Sequence, residues 1–190
     1  MLNFLHMALA AILSLGLVVA HAADDQQATL MFGGLEYQHR WSQRGQHEFT
    51  PKGQEDLARW QDMVTVNVHE AVGNDDQLKE LATSVLGNYR RVGKILRAAS
   101  GARSEKEPPE YFVAALFGNS EFIEAAFARI VMINRTGFVL VQSRRSYGAD
   151  AAVQVGEWVQ KNGSSVEKTL LDWSGVPSLA NLKKLPESSK

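Results

Sequence analysis

The sequence predicts an α+β domain in which helices pack on an antiparallel sheet of about five to six strands. Three observations lead there. Apolar segments come as hairpins rather than singly between helices, Met63 to His69 alternates apolar with polar residues, and two longer stretches place apolar residues at helical spacing.

Residues 1–22 stand apart from that domain. An apolar run from Met7 to Ala20 leads into Ala20-His21-Ala22 and then into polar Asp24-Asp25-Gln26-Gln27. The run is shorter than the roughly 20 residues that span a bilayer, and its small terminal residues suit a signal peptidase, so cleavage after Ala22 is expected. Neither Lys nor Arg precedes the core, so the amino terminus and His6 supply the positive charge there. Residues 23–178 then form one globular domain and residues 179–190 a loosely held polar tail. A periplasmic or secreted protein follows, without stable membrane insertion once the leader is removed.

Cysteine is absent from the 190 residues, which excludes disulfides, thiolate metal sites, cysteine nucleophiles and a lipoprotein attachment point. The fold must stand on packing alone. Formal net charge is −1, so no global field recruits nucleic acid or an acidic membrane.

The first hairpin joins Leu35–Ser42 to Gln46–Thr50 through Gln43-Arg44-Gly45, with Gly45 as the left-handed residue of a three-residue loop. This register sets Trp41 opposite His47 and His39 opposite Phe49. One face then carries Leu35, Tyr37, His39, Trp41, His47 and Phe49, and Arg40 pairs with Glu48 across the other. Thr50-Pro51-Lys52-Gly53 ends the second arm, and an irregular piece around Leu57 and Trp60 leads to the strand Met63–His69.

Gly73-Asn74-Asp75 caps a helix in which Leu78, Ala82, Val85, Tyr89, Val92, Leu96 and Ala99 recur at helical spacing as far as Ser100-Gly101. Its outer side bears Arg90, Arg91, Lys94 and Arg97, a solvated basic face near the helix carboxyl end. A charged loop, Ala102 to Pro109, follows. Glu110–Phe117 reads as a strand. Phe122–Ile133 reads as a strand in its later half, and Asn134–Gly137 turns it into Phe138–Val141. Gly148 opens a helix that Asn162-Gly163 stops. Ser164 and Glu167 then have the spacing to cap a second helix, which Gly175 and Pro177 close.

This order of hairpin, strand, helix, paired strands and terminal helix resembles the PsbP-like fold. His47-Glu48-Phe49-Thr50-Pro51-Lys52-Gly53-Gln54, with Trp60-Gln61-Asp62-Met63-Val64-Thr65, is similar to small exported bacterial proteins of unassigned function. The PsbP likeness implies a binding or assembly module and transfers no functional residue.

Chemical motifs are sparse. Gly118-Asn119-Ser120-Glu121-Phe122 lacks the second glycine of a nucleophile elbow, and Gly33-Gly34 alone does not make a phosphate cradle. No cofactor is implied. The surface expected to bind a partner, an envelope or host protein, comprises His39, Trp41, His47 and Trp60, with Arg144 and Tyr147 at the end of the last strand. The competing reading is a small metal-dependent hydrolase using His39, His47 and His69, since neutral imidazoles are common zinc and copper ligands.

Overall fold

The computed structural model describes residues 28–101 and 108–188. The expected leader and most of the charged loop therefore lie outside the described residues. Eight strands and three helices follow one another as β1 (Thr29–Phe32), β2 (Leu35–Gln43), β3 (Gln46–Pro51), β4 (Asp62–His69), α1 (Asp75–Val92), β5 (Gly93–Gly101), β6 (Glu110–Gly118), β7 (Phe122–Ile133), β8 (Thr136–Tyr147), α2 (Ala151–Asp172) and α3 (Leu179–Leu182).

All strands join one antiparallel sheet in the order β1-β2-β3-β4-β8-β7-β6-β5. Two meanders meet in its middle. The first runs β1 to β4; α1 then carries the chain to the far edge, and β5 to β8 return until β8 pairs with β4. The α+β class is as expected, but among the described residues the sheet has eight strands rather than about five to six.

The two additional strands have separate causes. β1 is only four residues long, too short to show a period. β5 continues the apolar spacing of α1, which disguises it as more helix. The helix ends because Gly93 takes extended dihedrals and lies so close to β6 that a Cβ there would sit 2.2 Å from the Leu116 carbonyl oxygen. Only glycine fits that corner.

Hairpin chemistry explains a second correction. Gln43 pairs with Gln46, so the β2–β3 loop has two residues, Arg44 and Gly45, both with positive φ. That is the type I′ geometry whose twist matches the flanking strands. A bulge at Arg40 then restores His39 opposite Phe49 as expected, while Trp41 falls opposite Glu48 and Ser42 opposite His47. Arg40 does not reach Glu48; its guanidinium bonds Thr50, Gln38, Pro51 and Glu55 instead.

Strand alternation divides the core in two. Phe49, Val64, Val66, Ala114, Phe127, Phe138 and Leu140 face α2 and the C-terminal residues. Val113, Ala126, Ala128, Ile130, Val139 and Val141 face Leu78 and Ala82 of α1. Burying a side chain such as Phe49 or Leu140 stabilises the fold by about 1.5–3 kcal/mol. Asn74 caps α1, its side chain accepting from the Gln77 amide, as the sequence suggests. α2 does not stop at Asn162-Gly163. It runs through them because Val155, Val159, Val166 and Leu170 continue one packed stripe, with Gly163 set against Phe127.

Buried Arg129 anchors the end of α2. Its Nη1 donates to the carbonyls of Leu170 and Trp173, both at 3.2 Å, and its Nε donates to Glu110 at 2.8 Å. A cation suits the carboxyl end of a helix, where carbonyls lack partners. Trp173 in turn donates to the Met31 carbonyl of β1 at 2.9 Å, which directs the chain back over the first meander.

Candidate functional site

Residues 174–188 run from the end of α2 across the α2-side face of β2 and β3. The segment expected to be a loosely held tail carries α3, buries Leu182 to 1% exposure and packs Leu185 on the core. It is tied to β2 by two hydrogen bonds between Ser188 and Ser42. Ser188 N donates to the Ser42 carbonyl at 2.8 Å, and Ser42 N donates to Ser188 Oγ at 3.1 Å. Lys183 adds an exposed ion pair with Glu70.

Beneath this segment the Ser42 hydroxyl lies 2.7 Å from His39 Nε2 and 2.7 Å from His47 Nδ1. The arrangement follows from the register. His39, Ser42 and His47 share a face because Arg40 is the bulged residue and His47 is the cross-strand partner of Ser42. All three are buried.

Electrostatics keeps both rings neutral at pH 7. Burial lowers His39 below the ordinary histidine value, assisted by the Arg40 charge and opposed by a hydrogen bond to the Trp41 backbone. Burial also lowers His47, assisted by His39 and opposed by Glu187. The Trp41 contact favours the protonated form, so the His39 ring donates there. Its Nε2 then accepts the Ser42 proton in the neutral ring, and Ser42 Oγ accepts from His47 Nδ1–H. The Ser42 hydroxyl then donates once and accepts once, which joins the two rings in one relay.

A cleft of about 780 Å³ opens on the His39 side of the tail. Ala28, Thr29, His39 and Phe49 supply one wall; Pro177, Asn181, Leu182, Lys184, Leu185 and Pro186 supply the other. A hollow of about 390 Å³ lies on the His47 side, bordered by Arg44, Glu70, Lys183 and Glu187. Leu182 and Leu185 line both and separate them.

The remaining expected site residues are dispersed. His69 stands on β4 at the parity opposite Val66 and Val68, so it projects from the other face than His47 and cannot join a three-histidine cluster. No group of three or more His, Cys, Asp or Glu among the described residues is placed to hold a metal. Trp41 is half-buried on that other face, away from His39 and His47. Trp60 is buried at 4% exposure and offers no exposed platform.

The arginines at the end of β8 point to opposite faces, as expected, and both are engaged. Arg144 pairs with Asp62 at 2.8 Å. Arg145 pairs with Glu124 at 2.7 Å while its guanidinium sits 4.0 Å from the Trp60 ring centre and 3.9 Å from that of Phe122. Tyr147 donates to the Trp60 carbonyl at 2.7 Å. These contacts fasten the irregular segment before β4 to the sheet.

Sequence reasoning missed Ser42 as the hub and the tail as a wall. Leu179, Leu182 and Leu185, spaced by three, were the available signal for the second.

No family model matches the chain, and no curated protein matches it. Among solved structures the chain is similar to the Saccharomyces cerevisiae Ran-binding protein Mog1p, at 8% identity over 74% of this chain and 85% of that one, with a TM-score of 0.38. Among the described residues no helix is long and apolar enough to cross a membrane.

Proposed function

We propose that the chain is an exported, periplasmic or secreted binding module, not an enzyme, that engages an envelope or host protein through the cleft between β2–β3 and the C-terminal segment. The cleft carries this reading. Its volume falls within the range of about 300–1,000 Å³ usual for ligand sites, and apolar walls with a few polar groups are their common make-up. The histidines support a non-catalytic role, because each spends a ring nitrogen on Ser42 in a buried relay. The run Met7–Ala20 followed by Ala20-His21-Ala22 supports export. The order β2–β3, β4, α1, β7–β8, α2 remains compatible with the PsbP-like layout in this reading.

The test is site-directed photo-crosslinking in the exporting cell. A photoreactive residue at Asn181, in the cleft wall, is expected to capture one envelope or host protein. The same residue at Glu80, on the outer side of α1, is expected to capture none. Equal or absent capture at both positions would overturn the reading.

A further inference from the structure

We propose that the cleft recognises a short apolar peptide segment carrying a carboxylate, with Lys184 as the counter-charge; this rests on the cleft being the binding site. Charge distribution within the cleft is the argument. Phe49, Leu182, Leu185 and Pro186 give it apolar walls, and Thr29, His39 and Asn181 give it neutral polar groups. Among the described residues lining it, Lys184 is the one formally charged at pH 7.

The two adjacent lysines differ in a telling way. Lys183 turns to the opposite hollow and is satisfied by Glu70 at 2.7 Å. Lys184 borders the cleft and has no ion-pair partner among the described residues. Among the described residues, Glu70 and Glu187 border the other hollow, beyond Leu182 and Leu185. Among the described residues, a cleft with both apolar and polar walls, one open ammonium group and no carboxylate complements a partly apolar ligand of charge −1. A cationic ligand would meet uncompensated repulsion there. The His39 ring, whose two nitrogens are engaged by Ser42 and the Trp41 backbone, lines the cleft without altering that sign.

Three blocked peptides of Leu and Phe, alike except for one central Glu, Gln or Lys, distinguish the possibilities by isothermal titration against residues 23–190. The Glu peptide is expected to bind about tenfold more tightly than the Gln peptide, the order of one well-placed charge pair, and the Lys peptide more weakly still. Lys184→Glu should reverse the ranking of the Glu and Lys peptides while leaving the circular dichroism spectrum unchanged. Equal binding of all three peptides, or a ranking untouched by Lys184→Glu, would refute the carboxylate and leave the cleft as a binding site. Binding of none, together with absent crosslinking at Asn181, would remove both.

Discussion

The Ser42 hydroxyl lies 2.7 Å from His47 Nδ1 and completes a buried bridge to His39, so two imidazoles are linked through one hydroxyl under the C-terminal segment. Stability should therefore depend on pH. Both rings are lowered from the usual value of 6.5, so the folded state binds fewer protons than the unfolded chain near that pH. Their contribution is fully present above about pH 6.5 and is lost as pH falls below it, at no more than about 1.4 kcal/mol per pH unit for each group. His69, lowered by burial, acts in the same direction. Urea denaturation is expected to give a higher midpoint at pH 7.5 than at pH 5, and His47→Gln should flatten the difference. An unchanged slope in that variant would show that His47 does not take part.

Arg129 tests what fastens α2. Its ion pair with Glu110 is largely buried, and it also satisfies two terminal carbonyls of the helix. Arg129→Ala removes one buried partner and leaves the others unmatched, for an expected loss of about 3–5 kcal/mol. Arg129→Met fills the space but caps nothing, and Glu110→Gln in that background spares the stranded carboxylate. The pair of changes should recover part of the loss in chemical denaturation, because the uncompensated charge is the largest component.

Much of the fold was legible because its signals were local. Alternation marked β4, turn residues marked the hairpin between β7 and β8, and Asn74 marked the start of α1. The errors came where tertiary packing outweighed local pattern. Asn162-Gly163 looks like a helix end, yet a continuous apolar stripe carries α2 through it. Gly93 looks like an interior helix residue, yet the approach of β6 makes it a corner. The site was half legible: His39 and His47 were expected to share a face, but their link through Ser42 required the bulge at Arg40, which no local signal announced. His69 lies on an early strand like His39 and His47 in the sequence, but the β3–β4 register sets it on the opposite face from His47.

Leu182 reports on the strap that walls the cleft. It is 1% exposed, and truncating a buried leucine to alanine generally costs about 2–5 kcal/mol. The cost here is limited to how firmly residues 174–188 are held if that segment detaches while the sheet stays folded. Leu182→Ala is expected to increase amide exchange at Ser188 and nearby residues well before it lowers the global denaturation midpoint. Exchange rising equally throughout β4 and β8 would show instead that the strap and the sheet unfold as one unit.

Gly93 offers the strictest test of the junction between α1 and β5. Alanine favours helix over glycine by about 1 kcal/mol, so if this position were helical Gly93→Ala would stabilise the protein. In the observed corner the new methyl would lie 2.2 Å from the Leu116 carbonyl oxygen and 2.8 Å from the Phe117 Cβ, and neither belongs to a flexible side-chain end. β5 would have to separate from β6 at its first residue, where Gly93 pairs with Phe117. A loss of about 1–3 kcal/mol is expected, as for other overpacked positions. Gly87, in the middle of α1 with open space around its Cα, is the internal control: Gly87→Ala should stabilise by up to about 1 kcal/mol. Opposite signs at the two glycines would place the helix boundary between them, and stabilisation at both would mean that the helix continues past residue 93.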